Sequence, residues 1–376
     1  MKILQIGKFY PIYGGIEKVM FDIMMGLSQR KIYCDMLCAS AENQPAGDLP
    51  LNNYARVLRV PAWKKVAATM LAPAMIFRLR KIQKEYDVIH IHHPDPMACL
   101  SLFLSGYKGP VVLHWHSDIL KQKILLKFYT PLQNWLLRRA DVIVGTTPVY
   151  VAESPFLEKV QDKVCNIPIG VDAVKPVFER VVRIREKYAG KKIIFSLGRL
   201  VEYKGYEYLI RAACRLSDDY MILIGGKGPL HQHLQTLIEE LRVADKVKLA
   251  GFISDKDLPD YFGACDVFCL SSIWKTEAFA IVQVEAMSCG KPVVATEIPE
   301  SGVSWVNADC QSGINVEPED ADALAQAITA VLSDNWLYEK LSKGARQRYE
   351  TMFTKERMAE RCLSLYQELL QKKNGE

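Results

Sequence analysis

The chain has 376 residues, 49% of them hydrophobic and 24% charged, with 48 Lys and Arg against 43 Asp and Glu. That length points to two domains of ordinary globular composition, each able to bury a sizeable core. A net charge of +5 is too weak and too dispersed for a nucleic-acid binder, yet it suits an anionic substrate or an anionic membrane face. The ten cysteines run from Cys34 to Cys362 without a CxxC pair or a zinc-spaced Cys/His cluster. Free, buried thiols in a reducing cytosol are therefore expected. The opening MKILQIGKFYP reads as a strand and a turn rather than a signal peptide. No uncharged apolar run reaches the roughly 18 residues of a membrane span, so a cytoplasmic protein is expected.

In chain order, residues 2–6 read as a strand. Residues 15–29 read as a helix, with Ile16, Val19, Met20, Ile23, Met24 and Leu27 at helical spacing. Strands are expected at Tyr33–Leu37, Val88–Ile91, Val111–His114, Val142–Val144 and Val164–Ile167, with helical segments between most of them. The pattern then restarts. Strands at Lys192–Ser196, Tyr220–Ile224, Val247–Leu249, Val267–Leu270, Pro292–Ala295 and Gly313–Val316 alternate with helices near Gly205–Leu216 and Pro229–Leu241. A linker is placed at about 168–190, and the tail reads as helical from Ala321 to Leu370 with breaks near Asp334 and Phe353. Alternating strands and helices in two series predict two doubly wound α/β domains, whose ligands bind at the carboxyl ends of the strands.

The stretch SSIWKTEAFAIVQVEAMSCGKPVVAT, residues 271–296, is a polar loop, a helix beginning near Phe279 and a strand. Free amides at a helix start attract phosphate, so Phe279, Ala280 and Ile281 are natural seats for a diphosphate. Glu277 and Glu285 are eight residues apart, roughly 12 Å if the segment is mostly helical. That exceeds the separation of about 5–9.5 Å in a glycoside hydrolase and suits the two ends of one nucleotide-sugar. A capping acid and a solvated helix residue account for the same pair equally simply.

In SLGRLVEYKGYEYLI, residues 196–210, Arg199 and Lys204 follow a strand end. Two fixed cations there can neutralise a leaving diphosphate, or can be plain surface charges. In LHWHSDI, residues 113–119, His114 and His116 share a strand face. With His92 and His93 ending a neighbouring strand, four of the seven histidines mark a polar pocket. No third ligand at zinc spacing is apparent. Gly14 and Gly15 open the first helix and allow close backbone approach. LIGGKGPLHQHL, residues 223–234, has Gly226 and Gly228 but His231 in place of a third glycine. That weakens NAD binding and leaves Gly225 and Gly226 making room for a nucleotide. DKD at 255–257 and DAD at 320–322 each open a helix and are assigned to capping rather than metal.

Taken together, GGIEKV, HWHSD, IPIGVD, GRLVEYKG, GGKGP, LAGFIS and EAFAIVQVEAMSCGKPVVAT resemble glycosyltransferase family 4 over essentially the whole chain. The last carries the Glu-x7-Glu pattern. The resemblance implies an α/β GT-B fold of two Rossmann-like domains facing an interdomain cleft. Residues 1–170 would bind acceptor, 190–353 would bind donor, and 354–376 would form a helix crossing back to the first domain. It implies retaining transfer of a hexose from GDP-mannose or a UDP-hexose, with no metal or other cofactor. Donor phosphates would sit on Arg199, Lys204 and the amides of Phe279, Ala280 and Ile281. Glu277 would touch sugar hydroxyls, Glu285 the ribose, and His116 the sugar's C6 hydroxyl. Gly15 would approach the diphosphate or acceptor, and Gly226 would stand near the nucleotide. Ala280 stands where the family usually has Gly, and Ile169 where Asn is common.

The acceptor expected is a glycan or a polyprenyl-diphosphate-linked sugar in cell-surface polysaccharide assembly. Residues 63–82 and 119–139 mix large apolar residues with Lys and Arg. They suit either an anionic inner membrane face or ordinary packing helices. An epimerase or phosphorylase on the same scaffold, or a binding module without catalysis, are the competing readings.

Overall fold

The computed structural model describes the chain apart from residues 42–43, 67–68, 120–122 and 376. It divides into two compact units, Met1–Gly170 with Lys355–Glu376, and Val171–Thr354.

The first unit runs β1 (Lys2–Tyr10), α1 (Gly15–Gln29), β2 (Tyr33–Ser40), β3 (Gly47–Asn52), β4 (Ala55–Val60), β5 (Lys64–Val66), β6 (Thr69–Leu71), α2 (Ala74–Ile82), β7 (Val88–His93), α3 (Pro96–Ser105), β8 (Val111–Trp115), α4 (Lys123–Arg139), β9 (Val142–Gly145), α5 (Pro148–Ala152) and β10 (Val164–Asn166). Its sheet has the order β10-β9-β8-β7-β1-β2-β4-β3. All neighbours are parallel except the edge pair β3–β4. β7 and β8 are buried at every position. That is why they read as unbroken runs: helices cover both faces of a parallel sheet. Register pairs His92 with His114 and His93 with Trp115. With a period of two, His90, His92, His114 and His116 then share one face.

The second unit runs α6 (Phe178–Lys187), β11 (Lys192–Leu197), α7 (Tyr206–Ala212), β12 (Tyr220–Gly225), α8 (His231–Glu240), β13 (Val247–Gly251), α9 (Leu258–Ala264), β14 (Val267–Leu270), α10 (Ile281–Ser288), β15 (Val293–Thr296), α11 (Val303–Val306), β16 (Gly313–Val316), α12 (Ala321–Ser333) and α13 (Asn335–Arg348). Its six strands are ordered β13-β12-β11-β14-β15-β16 and all run parallel. Ile194, Ile222, Ile224, Leu209, Leu234 and Ile328 form part of its core. Each such side chain contributes roughly 1.5–3 kcal/mol by leaving water.

Helix α14 (Lys355–Gly375) packs on α1 of the first unit. A Cβ on Gly26 would lie 2.6 Å from the Ala359 Cβ, so the absent side chain sets how closely the two helices approach. Tyr366 reaches the core and its hydroxyl lies 2.6 Å from His90 Nδ1.

Every strand read from the sequence is present, most with longer ends. Strands β3 to β6 were not read. β3 carries Pro50 and alternates exposed with half-buried positions, an edge strand with little apolar signal. The stretch 168–190 is not simply a linker. It contains α6, whose charges are matched: Arg180 pairs with Asp260 at 2.9 Å, and Arg185 with Asp266 at 2.7 and 3.0 Å. Within 63–82, the short strands β5 and β6 pair antiparallel and α2 is a nine-residue helix, rather than one amphipathic segment. Arg78 there pairs with Asp48 at 2.6 Å, and Arg80 donates to the Leu104 carbonyl at 2.8 Å. Parts of both basic segments, residues 67–68 and 120–122, lie outside the described residues. Among the described residues no helix is long and apolar enough to cross a membrane. All ten cysteines are free, but only six are buried, and Cys214 and Cys310 are exposed.

Candidate functional site

In the second unit the strand order reverses between β11 and β14, and the segments after these two strands build one constellation. After β11 the chain passes through Gly198 and the exposed Arg199 into a single 3-10 turn, Glu202–Lys204. After β14 come Ser271 and Ser272, then Glu277 and α10. Lys204 is 8% exposed and its Nζ is ion-paired with Glu277 Oε2. Ser272 Oγ donates to the same carboxylate oxygen at 3.1 Å, and Ser271 Oγ donates to the Lys204 carbonyl at 3.0 Å. Gly205, in left-handed conformation, lets the turn close, since a Cβ there would meet the Ser271 carbonyl at 2.1 Å. Tyr203 lies among Arg199, Lys204 and Glu277, and its hydroxyl pKa is raised chiefly by burial, the two cations opposing. Lys204 and Glu277 are thus in contact, with Arg199 close enough to act electrostatically on Tyr203 beside them.

Glu277 is followed by three buried residues, Ala278, Phe279 and Ala280. The helix starts at Ile281, two residues later than its pattern suggests. Ala280 is its N-cap, at φ 60° and ψ 76°, without a side-chain capping bond. Left-handed backbone costs an alanine about 1 kcal/mol relative to glycine. The Gln283 N–H already donates to the Ala280 carbonyl at 3.1 Å, but amides at the very start of a helix have no carbonyl one turn earlier to bond, and such amides can receive an anion. Glu285 lies half-buried on the same helix.

Gly226 has a structural duty of its own. At φ 137°, it presses on the β11 turn, and a Cβ there would lie 1.8 Å from the Gly198 carbonyl oxygen. Gly226→Ala is expected to destabilise the second unit by about 2–3 kcal/mol through backbone strain and overpacking. A urea midpoint equal to wild type would contradict this.

In the first unit, Gly15 is the exposed first residue of α1. Gly14 before it leaves room for Glu17, whose Oε2 would lie 2.6 Å from a Cβ on Gly14. Glu17 is buried, and burial raises its pKa. The β1–β2 register shifts between Ile6 and Phe9, and Lys8 takes left-handed backbone there at φ 54°. The Lys8 amide donates to the Asp95 carboxylate, which also caps α3 by accepting from Met97 and Ala98 at 3.0 and 3.1 Å. Lys8, Glu17 and Asp95 were not singled out from the sequence. Their only signal is charge at positions where the flanking pattern is buried.

His116 is 7% exposed and closes the column of His90, His92 and His114, all fully buried. Burial lowers all four pKa values, that of His114 to about 3. His90, His92 and His114 have ring nitrogens within 4.8 Å of one another, a spacing that could hold a metal ion. His92, however, already commits both nitrogens, one to His116 at 2.9 Å and the other to Gln5 at 2.5 Å. His93 lies elsewhere, ring against ring with Trp115 at 3.8 Å.

The two Asp-x-Asp sequences divide. Asp320 caps α12 by accepting from Ala323 at 2.8 Å. Asp257 precedes α9 without a capping bond, because Ser254 occupies its carboxylate at 2.6 Å and Arg180 lies 3.5 Å away. A surface cavity of about 590 Å³ in the second unit is lined by Val174, Ser288, Lys291, Lys343 and Arg346 among others. Arg199, Lys204 and Glu277 are not among its lining residues.

Residues 13–175 match the family described as Glycosyltransferase Family 4, and residues 177–348 match Glycosyl transferases group 1. The chain is 32% identical, over 100% of both chains, to the O-antigen chain mannosyltransferase C of Escherichia coli. It is 31% identical to the D-rhamnosyltransferase WbpZ of Pseudomonas aeruginosa, covering 94% of this chain and 92% of that one. Among solved structures, a sucrose-phosphate synthase from Thermosynechococcus elongatus matches with a TM-score of 0.80 at 20% identity, over 99% of this chain and 100% of that one. The fold is the GT-B type. From its full-length relatives and both family matches, the chain belongs to glycosyltransferase family 4 and is a hexosyltransferase.

Proposed function

We propose that this enzyme transfers mannose from GDP-mannose, with retention of anomeric configuration, to a lipid-linked glycan in cell-surface polysaccharide assembly. The observation that carries the reading is the clustering of Arg199, Lys204 and Glu277 beside the uncapped start of α10. The choice of sugar and pathway leans on the full-length likeness to an O-antigen mannosyltransferase.

In this reading Arg199, Lys204 and the amides of Phe279, Ala280 and Ile281 receive the diphosphate, with no divalent metal required. Glu277 receives sugar hydroxyls, Glu285 the ribose, and Gly226 stands beside the nucleotide. His116, with Gly15 near the start of α1, serves the transferred sugar from the first unit. The C1–O bond breaks and its electron pair stays on the diphosphate. The acceptor oxygen attacks C1 from the face that the diphosphate leaves, and its proton passes to a diphosphate oxygen. Same-face attack gives retention without an enzyme nucleophile. The fixed cations stabilise charge that grows as the bond breaks, where preorganised electrostatics act most strongly.

A thermal-shift panel of GDP-mannose, GDP-rhamnose, UDP-glucose and UDP-N-acetylglucosamine tests the donor. A ligand at 100 times its dissociation constant adds about 2.7 kcal/mol of stability. GDP-mannose is expected to give the largest shift; a larger one with a UDP-sugar would overturn the choice of base. Contact with an anionic membrane is part of the same proposal. Leu125, Lys127 and Phe128 are exposed together on α4, Phe128 at 81%. Cosedimentation with phosphatidylglycerol vesicles is expected for wild type and lost in Leu125→Glu/Phe128→Glu. Wild type staying in the supernatant would remove the membrane from the account.

A further inference from the structure

His116 does not stand alone in the first unit. Its Nε2 lies 2.9 Å from His92 Nδ1, and His92 Nε2 lies 2.5 Å from Gln5 Oε1. The amide nitrogen of Gln5 faces Cys34 Sγ at 3.7 Å. Gln5 and His92 are fully buried, on the adjacent strands β1 and β7, where register pairs Gln5 with His90. The two imidazole planes lie within 17° of each other, so the N–H of one can point along the lone pair of the next.

These contacts carry a direction. A carbonyl oxygen only accepts, so the His92 nitrogen facing Gln5 Oε1 must carry hydrogen. A neutral imidazole has one N–H and one lone pair, which leaves His92 Nδ1 as an acceptor. Its partner, His116 Nε2, is then the donor, and His116 Nδ1 is left with a bare lone pair. No protein partner for that nitrogen is found among the described residues. Turning the Gln5 amide around would invert both rings and put a hydrogen on His116 Nδ1. One buried amide, held by a thiol, thus decides whether the accessible end of the relay accepts or donates.

We propose that Gln5 and His92 are positioning residues that hold His116 as its Nε2–H tautomer, so that it presents a lone pair to a hydroxyl of the transferred sugar. The second half of this statement rests on the placing of His116 at the sugar in the functional reading above; the first half does not. A bare lone pair favours a sugar with a hydroxyl at the contacted carbon over its deoxy counterpart, whose hydrogens cannot be donated in this way.

The test is the ¹H–¹⁵N multiple-bond spectrum of the full chain labelled with ¹⁵N-histidine, at neutral pH, with His116 assigned by its loss in His116→Asn. Wild type is expected to show His116 protonated at Nε2 and bare at Nδ1. Gln5→Glu keeps the acceptor and discards the donor, so it keeps this tautomer, whereas Gln5→Met produces a mixture. In turnover of GDP-mannose, loss of one positioned hydrogen bond lowers kcat about tenfold in Gln5→Met with KM within about twofold, and Gln5→Glu recovers most of the loss. A hydrogen on Nδ1 in wild type, or an inverted tautomer in Gln5→Glu, would overturn the relay. Because wild type alone reports the tautomer, poor folding of Gln5→Met leaves the relay testable. Saturation with GDP-mannose is expected to move the His116 Nδ1 resonance, and GDP is not. The expected tautomer with no movement on adding GDP-mannose would refute the sugar contact while the relay stands.

Discussion

Lys204→Ala is expected to lower turnover by about 10²–10³, the usual loss for one preorganised electrostatic donor, and Arg199→Ala by a similar factor. The two variants should differ in stability. Arg199 is exposed, so its removal is expected to change the unfolding midpoint little. Lys204 is buried against Glu277, and their side chains are 10% and 12% exposed. Removing only the lysine leaves a nearly buried carboxylate with Ser272 as a remaining partner, at a cost of about 3 kcal/mol. Lys204→Met combined with Glu277→Gln removes both charges and should recover much of that stability without recovering turnover. Single-turnover kinetics beside urea denaturation separate the two effects. If Lys204→Ala keeps wild-type turnover while folded, the leaving-group assignment is wrong.

Acid should unfold the first unit well before the second. His90, His92, His93, His114 and His116 are all buried there, and burial lowers each pKa, those of His93 and His114 to about 3. In the unfolded chain each titrates near 6.5. Below that value the unfolded state binds more protons than the native state, so stability falls as pH falls. It is full above about 6.5 and is lost through the window from there to about 3. Each histidine that stays neutral in the fold contributes a slope of about 1.4 kcal/mol per pH unit. Glu17 and Asp95, whose pKa values are raised by burial, act in the opposite sense, but they are two groups against five. The remaining histidines, His231 and His233, are exposed in the second unit. Hydrogen exchange followed by mass spectrometry at pH 7.5, 6 and 5 should show peptides spanning β7 and β8 losing protection while those of β11 and β14 keep theirs. Uniform loss in both units, or a dependence shallower than that of one histidine, would count against the buried column.

What was legible in the sequence follows from periodicity and punctuation. The buried strands of both parallel sheets announce themselves as apolar runs, and β7 and β8 do so despite carrying four histidines between them. Asp334 marked the break between α12 and α13 because a short acid that caps a helix also stops the one before it, and its carboxylate accepts from Trp336 and Leu337. Strands β3 to β6 stayed hidden because short, partly exposed strands carry little apolar signal.

The residue types able to meet a diphosphate, Arg199, Lys204 and a helix start after Glu277, were set by the sequence, since charge and helix onset are local properties. That Lys204 faces Glu277 across 73 positions, that Gly226 must be bare to clear Gly198, and that Gln5 orients His92 and through it His116 were decided by the tertiary structure alone. Each of these depends on which strands lie side by side. Strand order in a parallel sheet is set by crossovers between distant segments, and no local pattern records it.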